Sequence, residues 1–180
     1  HLELCRDIAQ KFNNDFKIKN FFIAPEPLIK KEFSRIMSLK DGLKKMSKSE
    51  ISDLSRINLT DDKDQIVNKI KKAKTDTLPL PSTIEELEKR PEAKNLIGIY
   101  SSLMNNTLQK SIDKFAGKNF SEFKEELSDI VVNEISPISL KIKELLNDKV
   151  FLEKILNDGF EKANEIASKK IKKIHEILGF

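Results

Sequence analysis

Six consecutive residues in the first third of the chain combine three positive charges with two hydroxyl groups. They are Lys44-Lys45-Met46-Ser47-Lys48-Ser49. A lysine ammonium is a compact charge that can contact phosphate oxygens, and hydroxyls and loop amides can donate hydrogen bonds to the same oxygens. The segment therefore suits a polyphosphate whose charge changes during a reaction. The same residue types also suit a solvated basic turn. That alternative stays open as long as only the residue types are considered.

The residues before this segment predict the elements that would position it. Alternating apolar and polar side chains over residues 33–39 indicate a strand. Lys40-Asp41-Gly42 then predicts a turn, and Gly42 is expected to give the following loop freedom to move. Further upstream, residues 2–12 predict a helix that ends at Asn13-Asn14-Asp15, and the apolar residues 21–24 predict a short strand or a buried loop.

Helical periodicity dominates the chain beyond the basic segment. Thr60 and Asp61 predict one helix start, and Pro91 predicts another. Gly117 predicts a left-handed helix end. Ser121 predicts the start of a long helix.

Within that long helix, Pro137 predicts a kink or a break near Ser136. A further segment begins at Asp148 and includes an apolar stripe between Phe160 and Leu178. The apolar stripes of all these segments predict the core of a helical bundle.

The composition agrees with a helical protein and excludes several classes. Only 5 Gly and 6 Pro in 180 residues favour long helices over a turn-rich β fold. One Cys and two His exclude a disulfide framework and a Cys/His zinc site. No apolar run approaches the roughly 18 residues of a membrane span, so we expect a cytoplasmic protein without a membrane partner. The net charge of +4 permits nucleic-acid binding without indicating it.

Lys45-Met46-Ser47-Lys48-Ser49 matches the signature loop of class I aminoacyl-tRNA synthetases in all five positions. Along the whole chain, the surrounding sequence resembles the tryptophanyl-tRNA synthetases of that class. The segments that carry this resemblance are residues 1–9, 25–29, 34–39, 95–100, 117–118 and 161–167. The chain departs from the family after the loop, where Glu50-Ile51 replaces the Asp-Pro step that the family commonly has.

The resemblance implies a mainly α fold with a small α/β part, in which the remnant of a Rossmann-like nucleotide fold precedes a helical bundle. Residues 1–43 would be the C-terminal part of the catalytic domain, and residues 44–147 the signature loop and a helical anticodon-binding domain. Residues 148–180 would form C-terminal helices that pack back toward the catalytic domain. The chain would then be the C-terminal portion of a longer enzyme, whose His-containing signature and tryptophan pocket lie upstream.

The resemblance also implies a two-step ligase. Tryptophan would react with Mg²⁺-bound ATP to give tryptophanyl-adenylate and pyrophosphate, and the activated carboxyl would pass to tRNA(Trp). The full-length protein would be a homodimer. Lys45 and Lys48 would be catalytic, since their charges would stabilise the pyrophosphate leaving group. Magnesium would arrive with ATP, so no metal site of the protein's own is expected.

Six residues are implied as the ATP-binding set, and the two catalytic lysines belong to it. Ser47 and Ser49 would bind phosphate oxygens. The Met46 backbone would lie beside the nucleotide, and the Ile36 backbone would contact the adenine.

Two other functions remain open. One is the same portion of another class I synthetase, the tyrosyl enzyme, although its signature loop usually has Phe-Gly where this chain has Met46-Ser47. The other is a non-enzymatic helical RNA-binding module in which residues 44–49 are incidental.

Overall fold

The computed structural model describes residues 1–28 and 34–180. The chain divides into two compact units, one made of His1–Lys30 with Lys149–Phe180 and the other of Lys31–Asp148. The helices are α1 (Leu2–Asp15), α2 (Lys63–Lys71), α3 (Ile84–Glu88), α4 (Pro91–Leu103), α5 (Leu108–Phe115), α6 (Phe120–Asn147) and α7 (Lys149–Leu178). The strands are β1 (Met37–Ser38) and β2 (Asp41–Lys45). The predicted mainly helical fold is confirmed.

Helices α2, α4, α5 and α6 enclose the core of the second unit. Its aromatic centre consists of Tyr100, Phe115 and Phe123, all at most 1% exposed. The Phe115 ring meets each of the other two edge-to-face, with centroids 4.8 Å apart in both pairs. The Tyr100 hydroxyl donates to Glu126 Oε1 at 2.9 Å and accepts from Lys114 Nζ at 2.8 Å, so its polar end is also satisfied. In this unit the predicted bundle core is confirmed.

Local capping explains where these helices begin and end. Pro91 occupies the first turn of α4, and Gly117 follows α5 with a φ of 71°, as predicted. Helix α2 begins after Asp62, which forms a capping box with Gln65, one residue later than the predicted signal. Asn119, and not Ser121, precedes α6.

Pro137 predicted a kink or a break near Ser136; helix α6 continues through Pro137, so there is no break. A proline removes one backbone donor and crowds one turn. The 28 residues of α6 include buried side chains on both sides of this position, from Phe123 to Ser139, and this packing keeps the helix continuous.

The strands form a two-stranded antiparallel sheet that differs from the prediction. Only Met37 and Ser38 of the predicted strand are in β1, and Phe33 lies outside the described residues. The turn lies at Leu39-Lys40, so Gly42 belongs to β2. A Cβ atom on Gly42 would lie 2.6 Å from the backbone nitrogen of Glu92. Gly42 therefore permits close contact between β2 and α4, which is the opposite of a mobile hinge.

In the first unit, α1 ends at Asp15 as predicted, and an aromatic cluster follows it. The Phe12 ring lies 5.4 Å from Phe21 and 5.0 Å from Phe22. Residues 21–24 form neither a strand nor a buried loop, since Ile23 is 85% exposed. The Lys170 ammonium of α7 lies 3.7 Å from the centroid of the Phe21 ring, which adds a cation–π contact.

Helix α7 is a single helix, and no residue in it is buried. The stripe from Phe160 to Leu178 was predicted to be core, and the structure corrects this: Phe160 is 66% exposed and Ile166 is 74% exposed. Helical periodicity identifies the apolar side of a helix, but it does not say whether that side is covered.

Candidate functional site

A cleft of about 680 Å³ lies beside the β1–β2 hairpin. It is lined by three stretches of the second unit, residues 34–36, 45–48 and 56–60. Five of the six predicted ATP-binding residues line it: Ile36, Lys45, Met46, Ser47 and Lys48. Ser49 does not line the cleft, but its Oγ lies 2.9 Å from the Ser47 Oγ. The structure thus brings the predicted residues together.

The cleft is positively charged. Among residues 1–28 and 34–180, its charged lining residues are Arg35, Lys45, Lys48 and Arg56, with no Asp or Glu. Lys45 and Lys48 are exposed, and within the described residues neither forms an ion pair. Their charges are therefore available to an anion. Apolar side chains such as Ile57 and Leu59 supply much of the remaining lining, beside uncharged polar residues, which suits a ligand with both an anionic and an apolar part.

The backbone of the hairpin connects the two sides of the cleft. The Met46 amide donates to the Ile36 carbonyl at 3.1 Å, and Met37 is paired with Lys45 across the sheet. The loop that begins at Met46 is thus attached directly to residue 36. Lys44 lies on the same strand, 3.8 Å from Asp41, and does not line the cleft.

Asn95 of α4 holds the base of the hairpin. Its Oδ1 accepts from the Met37 amide, and its Nδ2 donates to the Met37 carbonyl, both at 2.8 Å. Asn95 is 2% exposed. Our sequence analysis did not identify this contact, because the two residues are 58 positions apart and no local pattern marks the pair.

Arg56 organises the segment that follows the loop. Its Nη1 donates to the Glu50 carbonyl at 2.9 Å, and its Nη2 lies 3.0 Å from Asp53 Oδ1. Its Nε donates to Asn58 Oδ1 at 3.2 Å. These contacts define the geometry of the stretch where Glu50-Ile51 departs from the family pattern. That Arg56 is one of only four arginines was a signal that our sequence analysis did not use.

A buried cation supports the same wall of the cleft. The Lys69 side chain is 3% exposed, and its ammonium lies 2.6 Å from Asp61 Oδ2 and 2.7 Å from Asp53 Oδ2. Asp61 also accepts from the Asn58 amide at 2.8 Å. The hydrogen bond from Lys69, followed by one from Asn58, lowers the pKa of Asp53 below its ordinary value. The two ion pairs of Lys69 therefore hold residues 53–61 to α2.

A second ion pair lies on the other side of the hairpin. Lys74 Nζ is 2.8 Å from Glu92 Oε1. The hydrogen bond from Lys74 lowers the pKa of Glu92, and the same bond raises the pKa of Lys74. Glu92 is in the first turn of α4, beside Gly42, so this pair strengthens the junction between α4 and the sheet.

Across residues 1–28 and 34–180, no group of three or more His, Cys, Asp or Glu side chains could hold a metal ion. Within the same residues, no helix is both long enough and apolar enough to cross a membrane.

A family model described as class I tRNA synthetases (W and Y) matches residues 1–136. The chain belongs to this family. A tryptophan–tRNA ligase from Caulobacter vibrioides is 49% identical over 180 residues, which is all of this chain and 52% of that protein. The predicted resemblance to the tryptophanyl-tRNA synthetases is confirmed.

Solved structures of the family agree with this assignment. A tryptophanyl-tRNA synthetase from Mycoplasma pneumoniae matches with a TM-score of 0.81 and 28% identity. The match covers all of this chain and 53% of the Mycoplasma protein. The enzyme from Campylobacter jejuni, complexed with ADP and tryptophan, matches with a TM-score of 0.65 and 28% identity, over 54% of its length. This chain spans about half the length of the relatives that it matches.

Proposed function

We propose that this chain is the C-terminal portion of a tryptophan–tRNA ligase and that it supplies the phosphate-binding side of the active site. In the first reaction, the tryptophan carboxylate attacks the α-phosphate of Mg²⁺-bound ATP and pyrophosphate leaves. In the second, the activated carboxyl is transferred to tRNA(Trp). Charge accumulates on the leaving pyrophosphate, so fixed cations aimed at it accelerate the first step.

Lys45 and Lys48 have the catalytic role in this proposal, because they neutralise that charge. Ser47 and Ser49 donate hydrogen bonds to phosphate oxygens. The Met46 backbone lies beside the nucleotide, and the Ile36 backbone contacts the adenine. Magnesium comes with ATP as part of the substrate.

The observation that carries the proposal is the cleft itself. It combines two exposed lysines with hydroxyl groups and an apolar wall. In the part of the chain that the structure describes, neither lysine forms an ion pair and no carboxylate lines the cleft. A polyanion attached to an aromatic base fits this combination better than a free acidic peptide does, because a peptide would leave the apolar wall uncovered. The choice of tryptophan is supported by relatives that are 45–51% identical and are tryptophan–tRNA ligases.

The role of Lys48 can be tested by pyrophosphate exchange in the full-length protein that contains this chain. We expect Lys48→Ala to slow tryptophan-dependent exchange by on the order of a hundredfold or more, as for removal of one preorganised charge donor. Lys44→Ala is the matched control, since Lys44 is another exposed lysine, on β2 four residues before Lys48, and does not line the cleft. It should leave the rate within about twofold.

Equal effects of the two substitutions would contradict the role of Lys48. Running the assay with tryptophan and with tyrosine decides between the two synthetases of this family. Tyrosine-dependent exchange would replace the proposal with a tyrosyl enzyme, and no exchange with either amino acid would favour the RNA-binding module.

The remaining partners follow from the proposed activity. We expect the full-length enzyme to act in the cytoplasm, to bind tRNA(Trp) and to form a homodimer. Size-exclusion chromatography with light scattering tests dimerisation, and a salt-dependent tRNA-binding assay tests the second substrate.

A further inference from the structure

The Asn95 side chain forms two hydrogen bonds with the Met37 backbone, as a residue of a neighbouring strand would. A side-chain amide has a donor and an acceptor, so it can satisfy the N–H and the C=O of one residue together. Both bonds to Met37 measure 2.8 Å. The Nδ2 group also lies 3.5 Å from the Ser38 carbonyl, so one buried side chain contacts both residues of β1.

Met37 links the two sides of the cleft. Met37 follows Ile36 in sequence and is paired with Lys45 across the sheet. The Ile36 carbonyl in turn accepts from the Met46 amide. A displacement of Met37 therefore moves the backbone of residue 36 on one side of the cleft and the beginning of the signature loop on the other. Since β1 has only two residues, its own ladder is too short to fix this geometry.

We propose that Asn95 is a positioning residue for the nucleotide site. Its amide locks Met37 to α4 and so fixes the separation between the Ile36 backbone and the Lys45–Lys48 loop, although Asn95 is not assigned any contact with ATP. This inference rests on the proposed function. It predicts that loss of the amide impairs the use of ATP specifically, because the residues that the hairpin holds are the ones assigned to ATP.

A purely structural role for Asn95 predicts something else. General destabilisation lowers the fraction of active protein, which reduces kcat and leaves each KM unchanged. Two controls reproduce such destabilisation. Ser101 is another buried polar residue of α4, and its hydroxyl contacts Ile97 and Ser111 but not the hairpin. Asn13 makes the same two-way amide contact, with Phe22, at 2.8 and 3.0 Å.

The test compares Asn95→Ala with Ser101→Ala and Asn13→Ala in the full-length protein. We expect Asn95→Ala to raise the KM for ATP in pyrophosphate exchange by on the order of tenfold or more, with the KM for tryptophan unchanged. The two controls should leave both KM values within about twofold. A folded Asn95→Ala protein with an unchanged KM for ATP, or one in which both KM values rise equally, would overturn the inference.

A second readout does not depend on catalysis. Amide hydrogen exchange of Met46 reports the bond to Ile36, and it should become at least about tenfold faster in Asn95→Ala but not in Ser101→Ala. Unchanged exchange at Met46 contradicts the positioning role even if the protein is an active enzyme. If the unsubstituted protein shows no amino-acid-dependent activity, the proposed function fails, and Met46 exchange still decides the role of Asn95.

Asn95→Asp covers the case in which Asn95→Ala does not fold. An aspartate keeps the acceptor for the Met37 amide and loses the donor to the Met37 carbonyl. We expect it to give a smaller rise in the KM for ATP in the same direction, and an unchanged KM in folded Asn95→Asp would count against the inference.

Discussion

Lys69 is the residue whose charge is most completely enclosed in the second unit. Its ammonium is removed from water and compensated by Asp61 and Asp53, which also carry the hydrogen bonds that shape residues 53–61. A buried ion pair adds little stability compared with an apolar pair of the same shape, but removing one partner leaves an uncompensated buried charge. The loss of stability on replacing Lys69 therefore depends on the buried carboxylate that remains, as well as on the ion pairs that are lost.

We therefore expect Lys69→Met to lower the free energy of unfolding by about 3–5 kcal/mol. Urea denaturation at neutral pH measures this change. Lys141→Met is the control, because Lys141 forms a 2.8 Å pair with Glu144 in which both side chains are at least 60% exposed. Breaking that exposed pair should cost about 1 kcal/mol or less. A loss at Lys69 no larger than the loss at Lys141 would show that its charge is not buried in solution.

At the same scale, the sequence alone predicted that Lys45 and Lys48 belong to one site, and both line the cleft, whereas the residues that support them could not be predicted. The signature loop is a contiguous string, so its residue types and their order are visible without a structure. Asn95 reaches the hairpin only after α4 has packed against it, and Lys69 reaches residues 53–61 only after α2 has packed. Their contacts span 8 to 58 residues and involve side chains that are common in helices for other reasons.

At the scale of elements, predictions succeeded where one residue type has a strong backbone preference. Pro91 begins α4 and Gly117 ends α5 because each has a conformation suited to that position. The hairpin was predicted less well. Gly42 has two possible reasons to be glycine, freedom in a turn or close approach in a strand, and only the position of α4 distinguishes them.

Gly42→Ala tests the second reason. Its new Cβ would meet backbone atoms of Pro91 and Glu92, which cannot rotate away, so the strand must move off α4. We expect a loss of about 1–3 kcal/mol in the free energy of unfolding, measured by urea denaturation. Gly159→Ala is the control, since a Cβ there meets nothing within 4 Å and alanine favours a helix. Equal stability of the two variants would contradict close packing at Gly42.

For the whole molecule, the cleft explains only part of the proposed chemistry. Its charged lining residues are all cations, which suit phosphates. The ammonium group of an amino acid needs a carboxylate or several oxygen acceptors, and the lining residues that the structure describes include no Asp or Glu. On the proposed function, we therefore expect the groups that bind tryptophan to lie outside the described lining of this cleft, which agrees with relatives about twice as long as the chain.

We accordingly expect the isolated 180-residue chain to show no tryptophan-dependent pyrophosphate exchange above background. The reason is proximity: without groups that fix the carboxylate beside the α-phosphate, the loop has no bound nucleophile to assist. The measurement compares the chain with the full-length protein at equal concentration. Circular dichroism of the chain must show the helices of the second unit, so that inactivity is not attributed to unfolding. Tryptophan activation by the folded chain alone would mean that these residues contain a complete active site.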